Sequence, residues 1–501
     1  MDGRAEIPLK GGGHQLRIKQ GEGPVYYTNA LVKLLCLSAT KIATLDPSGI
    51  GIEMEADKPN WYDALNGLPG LLGSSICETF ELKRLCLFLL EALDRLGVEG
   101  AGKIQIFEEL AGLIAGLNSL LAVQADPLSF WMKSNELKED YRHRIRLGIT
   151  GEETPISFAE IKRFLHLVLE KTNQAIRLAK DQEGFYKTYF IHEVTEYERI
   201  DRLLKKPPLH RLSVRPLKFK IQVLPIFLEG FVHALRLERN PEEAKKLYER
   251  VRKSLLYDRP LKMYRVNADL SASSEEIGRT RIFPRGWLEN ESIWIHMEYK
   301  FLLELLRAGL YEEFYREMPN VLIPFLNPQR YGRSILENSS FIVSSAHEDP
   351  TLHGRGFVAR LSGSTAEFLH IWLLMNVGPH PFEGNHNKDL SLTFRPALAG
   401  WLFTQKETRV DYFNKRKGKW QKLNLPAKTY AFNWLGSIVV VYHNPKRLDT
   451  FGLRKAEIKR ILLSYPDGRK PIGINGPSIC APYAQHIRAQ DVHRIDIFLA
   501  A

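Results

Sequence analysis

Apolar residues recur at helical spacing over most of the first 380 residues. Clear examples are NALVKLLCLSATKIATL at 29–45, CETFELKRLCLFLLEALDRLG at 77–97 and KIQIFEELAGLIAGLNSLLAV at 103–123. Such spacing is typical of amphipathic helices that pack one face on a core. Further helices are predicted over 157–182, 226–237, 241–256, 290–308, 310–317 and 364–376, which brings the total to about nine.

Two of these helices carry a predicted capping box, in which a serine and a glutamate three residues later bond each other's backbone N–H groups. The pairs are Ser75 with Glu78 and Ser157 with Glu160. The stretch 185–222 departs from the helical pattern and is interpreted as an inserted excursion with a Pro-rich turn.

The pattern changes after about residue 388. The runs LSLTFRPAL, GSIVVVYHN, IKRILLSYP and HRIDIFLA are short and β-rich, and turn signals such as HNPK, PDG and NGP separate them. We therefore predict a mainly α chain with a β C-terminal domain: a helical domain over 1–388 and a β-sandwich over 389–501.

The composition of the chain indicates its cellular compartment and the partners it can bind. The chain of 501 residues has no signal-peptide pattern and no apolar run long enough to span a membrane. Four cysteines lack metal-binding spacing and are interpreted as reduced thiols, which predicts a cytoplasmic protein. The net charge is +12, but the basic residues are scattered, and the densest run, NKRKGKWQK at 414–422, is typical of a hairpin turn. We therefore expect no nucleic acid and no membrane as partners; the charge suits small anions such as phosphate.

The segment MEADKPNWYDALNGLPGLLGSS, residues 54–75, places Trp61, Tyr62 and Asp63 side by side between two predicted helices. A general acid for glycosidic cleavage must be protonated near neutral pH, and burial beside apolar surface raises a carboxyl pKa. Trp61 and Tyr62 could supply that surface and could also pack on a sugar. The alternative is a turn in which the aspartate accepts a hydrogen bond from a neighbouring N–H.

A second polar segment is YGRSILENSSFIVSS at 331–345. Glu337 and Asn338, followed by two serines, offer both donors and acceptors, which a polyol requires. The alternative is an Asx or Ser turn.

Glu78 also has two interpretations, as the capping glutamate or as a substrate-binding residue if its helix begins at a cleft.

A third segment, HGRGFVARLSGSTAEFLHIWLLMNVG at 353–378, predicts an anion site. Its SGST sequence lies at the start of an apolar helix, where backbone N–H groups and hydroxyls can bind phosphate. The candidate phosphate ligands are Ser362, Gly363, Ser364, Thr365 and Arg360, with Arg355 as a further source of charge. The alternative is a helix N-cap and nothing more.

Three histidines of this region suggest a metal site at first sight. The spacings of His370, His380 and His386 match no zinc pattern, and two of them lie in GPHPFEGNHNK, which is typical of an interdomain turn. We therefore expect neither a metal nor another cofactor.

Taken together, the three segments resemble the inverting β-glucoside phosphorylases of the cellobiose-phosphorylase-like glycoside hydrolase group. PNWYDALNGLPG resembles that group's Trp-Asn-Asp segment, which carries the general acid; LENSSF resembles its Glu-Asn-Gly-Gly segment, and RLSGSTAEF resembles its Thr-Gly-Thr-Ala phosphate loop. The longer phrase around Asp63 is most similar to the long β-1,3-oligoglucan and laminarin-type phosphorylases. The resemblance covers most of the chain in the same order.

This resemblance implies an (α/α)6 barrel followed by a β-sandwich. It implies that Asp63 protonates the leaving oxygen of a β-linked gluco-oligosaccharide while inorganic phosphate, a co-substrate, attacks the anomeric carbon from the opposite face. The product would be α-glucose 1-phosphate. It also implies that Glu337 and Asn338 contact sugar hydroxyls.

The chain departs from the group at two places. The histidine that the group carries after Asn-Gly-Gly corresponds to Ser344, with His347 and His353 as possible substitutes. Only 62 residues precede Asp63, and about nine helices are fewer than the twelve of a complete barrel. The chain is therefore expected to lack early barrel helices and to associate with itself or with a companion N-terminal half.

Two alternatives to phosphorolysis stay open. One is an inverting hydrolase on the same scaffold, in which Glu337 or Glu78 activates water, since hydrolysis requires a second carboxylate. The other is a carbohydrate-binding subunit without activity of its own.

Overall fold

The computed structural model describes residues 15–54, 73–123, 125–200, 213–358, 362–384 and 389–500. The backbone groups into two compact units. One comprises Met1–Met297 and Phe341–Phe357, and the other Glu298–Ser340 and Val358–Ala501. The domain boundary at residue 388, the (α/α)6 barrel and the β-sandwich stay predictions.

Each of the nine predicted helices is present, with ends that shift by several residues in places. The helices of the first unit are α1 Ala30–Ile42, α2 Ile76–Arg95, α3 Glu108–Leu121, α4 Pro127–Ile145, α5 Phe158–Ala179, α6 Leu228–Leu237, α7 Pro241–Lys253 and α8 Arg279–Ile282. Helix α9 Ile295–Arg307 contributes residues to both units. The second unit adds α10 Tyr311–Val321, α11 Pro328–Tyr331, α12 Ser362–Asn376 and α13 Tyr483–Arg488.

One of the two predicted capping boxes is confirmed. Ser157 accepts a hydrogen bond from the Glu160 N–H at the start of α5, and the Glu160 side chain accepts one from the Ser157 N–H in return. At the start of α2, Ser75 does cap the helix by accepting from the Cys77 N–H. The capping role predicted for Glu78 is wrong, because this side chain pairs with Lys41 at 2.8 Å instead.

Helix α4 and a strand before α3 are findings beyond the predicted elements. Asp126 caps α4 by accepting from the Ser129 N–H, and Pro127 occupies the first turn, where its missing donor costs nothing. Residues 103–107, predicted as the first turns of a helix, form a strand instead. Their alternating side chains pair with residues 153–157, so this part of the helix prediction is wrong.

The described strands of the first unit form four small sheets. They are β1 Ile52–Glu53, β2 Gly73–Ser75, β3 Lys103–Phe107, β4 Glu153–Ser157, β5 Tyr189–Ile200, β6 Ser213–Val223, β7 Tyr257–Asp258, β8 Met263–Tyr264, β9 Ile293–Trp294, β10 Phe341–Ile342 and β11 Gly356–Phe357. The largest sheet has the order β1-β2-β5-β6, and another has the order β11-β10-β9. The excursion predicted over 185–222 is thus largely the antiparallel pair β5 and β6.

Among the described residues, two apolar clusters support the first unit. Helices α1 to α5 share the larger one, which includes Leu35, Leu89, Leu113, Phe130 and Phe164. The smaller one lies beside the four-stranded sheet and includes Met54, Tyr189, Ile191, Leu224 and Phe227. Met54 is the last described residue before the segment that contains Asp63.

The second unit contains the β-rich runs that the C-terminal pattern predicts. Its strands are β12 Phe382–Gly384, β13 Leu390–Thr393, β14 Thr408–Asn414, β15 Lys419–Leu425, β16 Thr429–Trp434, β17 Ile438–His443, β18 Glu457–Ser464, β19 Ile472–Asn475, β20 Ser478–Ile479 and β21 Arg494–Ala500. The main sheet has the order β16-β17-β21-β18-β19, and β17 and β21 run parallel in it. The basic run at 414–422 lies at the turn between the paired strands β14 and β15, which confirms the hairpin prediction.

No helix within the described ranges combines the length and the apolar character that crossing a membrane requires.

Candidate functional site

Two of the predicted site segments meet in the second unit. Asn338, from the LENSSF segment, donates a hydrogen bond through Nδ2 to Oγ1 of Thr365, from the SGST segment, at 3.3 Å. Asn338 is half-buried and Thr365 is exposed, so the pair lies at the surface of the unit. An amide and a hydroxyl at this position can both donate and accept, which suits a polyol or a phosphate.

Buried Tyr299 positions the Asn338 amide. Its hydroxyl donates to Asn338 Oδ1 at 3.2 Å and accepts from the Ile323 N–H at 3.2 Å. Burial raises the pKa of Tyr299, so the phenol stays protonated and able to donate. The Asn338 side chain therefore has both of its polar atoms engaged, and its orientation is fixed.

A second tyrosine holds the backbone of the same loop. The Tyr331 hydroxyl donates to the carbonyl of Glu337 at 2.8 Å, accepts from the Ser339 N–H at 2.9 Å and lies 2.6 Å from Ser339 Oγ. Burial raises its pKa, although the bonds from Ser339 oppose this. Neither tyrosine has a role predicted from the sequence. Tyr331 lies in the quoted segment, whereas Tyr299 comes from a helix some 40 residues earlier.

The SGST residues occupy the first turn of α12, as predicted. Ser362, Gly363, Ser364 and Thr365 are its first four residues. The backbone N–H groups of a first turn have no partner within the helix, and the helix dipole makes this end favourable for anions. The Ser364 side chain is fully buried, whereas Thr365 is exposed. Of the two hydroxyls, that of Thr365 is therefore the one open to a ligand from solvent.

Glu337 adds a carboxylate next to Asn338. Its side chain is about half exposed, and its Oε2 lies 3.6 Å from Arg333. An exposed pair of this kind is weak. Glu337 is therefore free to turn toward a sugar hydroxyl or a water molecule.

The remaining predicted ligands fall into two groups. Trp61, Tyr62, Asp63 and Arg360 lie outside the described residues. Glu78 is described: it belongs to the first unit, is about one-third exposed, and pairs with Lys41.

The two ends of the segment that contains Asp63 are hydrogen-bonded to each other. The Met54 N–H donates to the Gly73 carbonyl at 2.9 Å, next to the paired strands β1 and β2. In β1, buried Glu53 accepts from Trp131 Nε1 at 2.7 Å and pairs with buried Lys138 at 3.2 Å. Strong charge-assisted bonds thus hold the strand from which residue 55 departs.

A second buried carboxylate holds the turn before β1. Asp46 accepts from the N–H groups of Ile50 and Gly51 and from the hydroxyl of Ser74 in β2. It also accepts from the N–H and the hydroxyl of Ser48. His192 Nε2 lies 3.8 Å from Asp46, and burial lowers the pKa of this histidine although the nearby Asp46 charge opposes the shift. The Ser48 hydroxyl and the Asp46 carboxylate both lie at Nε2 of His192. In a catalytic triad the aspartate binds the other ring nitrogen, so these three residues do not form one.

The residues considered as substitutes for a phosphate-binding histidine lie in the first unit. Ser344 is fully buried. His353 Nε2 lies 2.8 Å from the carbonyl of His347, and His347 Nδ1 accepts from the Asp349 N–H. Both imidazoles therefore have one nitrogen engaged in local bonds, and Arg355 is exposed.

The described histidines of the C-terminal pattern form no metal cluster. His370 lies 3.2 Å from Arg307, a cation that disfavours a metal, and His386 is outside the described residues. Within the described ranges one group of three side chains brings potential metal ligands together, namely Cys77, Glu229 and His233, with ligand atoms within 4.8 Å of one another. No local sequence pattern connects these three residues.

Comparison with known proteins gave no further guide: no protein-family model matches the chain, and no curated protein matches it.

Proposed function

We propose that the chain catalyses phosphorolysis of β-linked gluco-oligosaccharides with inversion, releasing α-glucose 1-phosphate. The observation that supports this most directly is the hydrogen bond between Asn338 and Thr365. It joins the segment proposed to bind sugar hydroxyls to the segment proposed to bind phosphate. A reaction in which phosphate attacks a sugar carbon needs these two ligands side by side.

In this proposal Asp63 is the general acid. Its proton passes to the glycosidic oxygen as the bond from that oxygen to the anomeric carbon breaks, while a phosphate oxygen forms the new bond from the opposite face. Phosphate is its own nucleophile, so one carboxylate is sufficient. Trp61 and Tyr62 would supply the apolar surface that keeps Asp63 protonated. Glu78 would be a further ligand of the substrate.

The phosphate would bind at the start of α12. The first-turn N–H groups of Ser362 to Thr365 and the Thr365 hydroxyl are suitable donors, and Arg360 would add charge. A net charge of +12 favours the approach of an anion. Glu337 and Asn338 would bind sugar hydroxyls, with Tyr299 and Tyr331 as positioning residues.

We place this activity in the cytoplasm. All four cysteines are unpaired thiols in the structure, which suits a reducing compartment. Self-association stays part of the proposal, and sedimentation velocity over a range of concentrations would test it.

The experiment is an assay of glucose 1-phosphate release from β-1,2-, β-1,3- and β-1,4-gluco-oligosaccharides, with and without inorganic phosphate. We expect release only with phosphate, and loss of release in Asp63→Asn with an unchanged circular dichroism spectrum. Asp57→Asn, a change of the same kind in the same segment, is the matched control and should retain activity. Full activity of Asp63→Asn would exclude this residue as the acid.

The same assay separates the alternatives. Reducing sugar released without phosphate, and lost in Glu337→Gln, would indicate an inverting hydrolase. Glucan binding without turnover, measured by calorimetry, would indicate a binding subunit. The exposed carboxylate of Glu337 beside Asn338 is the observation that keeps the hydrolase as second candidate.

A further inference from the structure

A thiol, a carboxylate and an imidazole meet in the interior of the first unit. They belong to Cys77, Glu229 and His233, all three of which are buried, and their potential ligand atoms lie within 4.8 Å of one another. Polar groups of this kind are rarely buried together without a function or a strong mutual interaction. The proposed sugar site uses none of them.

Secondary structure explains why the three side chains meet. Glu229 and His233 are four residues apart on α6, so they lie on the same face, one turn from each other. Cys77 is the second residue of α2, whose first turn is fixed by the Ser75 cap. Helices α2 and α6 pack against each other, so the thiol faces the glutamate and the histidine.

The spacing fits a tetrahedral ion. His233 Nε2 lies 3.7 Å from Glu229 Oε1. Bond lengths of about 2.0–2.3 Å to zinc place the ligand atoms of a tetrahedral site about 3.3–3.8 Å apart. All three ligand atoms lie within 4.8 Å of one another, so ion binding requires the widest separation to shorten by at most about 1 Å.

The other nitrogen of His233 has the partner that metal-bound histidines commonly have. His233 Nδ1 lies 2.8 Å from Glu81 Oε1, and the donation of Nδ1–H to this carboxylate leaves the Nε2 lone pair facing Glu229 and Cys77. Glu81 is in turn bound by Arg84 at 2.6 Å and by Arg236 at 2.9 Å. Two arginines thus balance the charge of Glu81, the outer partner of His233.

We propose that Cys77, Glu229 and His233 bind a zinc ion. Thiolate and imidazole ligands favour zinc over magnesium or calcium, and one thiolate with one carboxylate balances the charge of the ion. The Tyr189 hydroxyl, which donates to Glu229, lies beside the site, and a water molecule or this hydroxyl can complete the coordination. The ion would tie the start of α2, which follows the segment containing Asp63, to α6.

The competing occupant is a proton. Burial lowers the pKa of His233, but hydrogen bonds and charges from Glu229 and Glu81 outweigh this and raise it. In that state a protonated His233 would bridge two carboxylates, and the cluster would be an ion-pair network without a metal.

The experiment uses the full chain, stripped with a chelator and titrated with Zn²⁺ by calorimetry and with Co²⁺ by absorption spectroscopy. We expect one ion per chain, a near-ultraviolet thiolate-to-cobalt charge-transfer band, the visible bands of tetrahedral cobalt, and a higher melting temperature with Zn²⁺. Cys77→Ser should abolish the charge-transfer band. Glu81→Gln should weaken zinc binding by about 10–100-fold, as loss of an outer partner of a ligating histidine does.

Two variants are matched controls. Cys480→Ser removes an exposed thiol, and His166→Gln removes an exposed imidazole of α5; both should leave the stoichiometry and the band unchanged. If Cys77→Ser does not fold, the band in a Cys36→Ser/Cys480→Ser double variant still tests whether an interior thiol binds the ion. Absence of stoichiometric binding, a band that persists in Cys77→Ser, or loss of the band in Cys480→Ser would overturn the proposal.

Discussion

Asp46 accepts five hydrogen bonds, more than any catalytic candidate in the described part of the chain. Its donors lie in the turn before β1 and, through Ser74, in β2. A carboxylate in this role is structural, because both oxygens are already saturated with donors. It stabilises the pairing of β1 and β2, the two strands that the segment with Asp63 connects in sequence.

Replacement of Asp46 by Asn should therefore destabilise the first unit. The amide group turns one acceptor oxygen into a donor that faces other donors, so buried N–H or hydroxyl groups lose their partner. We expect a loss on the order of 3 kcal/mol in the free energy of unfolding, measured by urea denaturation. Asp140→Asn, on the exposed face of α4, is the control and should change stability by less than about 0.5 kcal/mol. Equal effects of the two changes would contradict the structural role of Asp46.

The sequence predicts which residues can carry chemistry better than it predicts which of them meet. Asn338 and Thr365 are recognisable as polar residues in unusual segments, but their hydrogen bond depends on tertiary packing across 27 residues. Cys77, Glu229 and His233 are ordinary helix residues in sequence. More than 150 residues separate Cys77 from the other two, so no local pattern connects them.

At the scale of elements, helix α5 illustrates what local sequence determines. Its complete capping box is readable from Ser157 and Glu160 alone, because both bonds are made within one turn. Ser157→Ala should lower the free energy of unfolding by about 1 kcal/mol. Ser119→Ala, on the exposed face of α3, removes a hydroxyl from a helix interior and should be neutral or slightly stabilising. A thermal or urea titration that shows no difference between these two variants would refute the capping contribution.

Helix α4 shows why local patterns also fail. Its buried face includes Phe130, Trp131 and Tyr141, but Ser134 and Lys138 complete the stripe. Because these two residues are polar, the buried stripe does not show as apolar periodicity in the sequence. Lys138 is buried only because Glu53, from a distant strand, pairs with it, and this partner is not visible in the sequence of the helix.

In the main sheet of the second unit, a carboxylate links the parallel strands β17 and β21. Asp496 lies 2.8 Å from His443 Nε2 and accepts two bonds of 2.7 Å from Arg494. Burial alone would raise the pKa of Asp496, but the hydrogen bonds and charges of His443 and Arg494 outweigh it and lower the pKa. The carboxylate is therefore favoured in the folded state.

This shift has a defined consequence for pH. A folded-state pKa below the unfolded value of about 3.9 stabilises the fold above that pH, and the contribution is lost as pH falls through the lower folded value. The stability difference between the natural chain and Asp496→Asn should thus be largest at neutral pH and shrink below about pH 4. Urea titrations across this range measure it. Asp467→Asn, with an exposed carboxylate, should show a much flatter difference, and a flat difference for Asp496→Asn would contradict the shift.

At the scale of the whole molecule, the chain builds its compact units from discontinuous stretches. Residues Phe341–Phe357 belong to the first unit, although the stretches on both sides of them belong to the second. Hydrophobic periodicity reports the type of a local element and carries no information on which distant element it joins. Nine helices and the C-terminal strands were therefore predictable, whereas helix α4 and this interleaving were not.

A substitution at Phe341 tests whether the stretch Phe341–Phe357 belongs to the first unit. It lies in β10, the middle strand between β9 and β11, with its ring 5.1 Å from that of Trp287 and 5.7 Å from that of Phe357. It is almost completely buried. Phe341→Ala should cost about 3–5 kcal/mol, because it removes a large side chain from a packed cluster. Phe88→Ala, on the exposed face of α2, is the control and should cost little.

The strands that lose protection in Phe341→Ala show whether Phe341 stabilises only its immediate neighbours or the whole first unit. If β10 belongs to the first unit, hydrogen exchange in Phe341→Ala should accelerate in β9 and β11 and in the neighbouring strands of that unit, because local opening follows cooperative units. The emission of Trp287 and Trp294, which pack on Phe341, should shift to longer wavelength. Hydrogen exchange in the main sheet of the second unit should stay at its original rate. Equal acceleration in that sheet would mean that the two units unfold as one, and that the interleaved strand joins their stabilities.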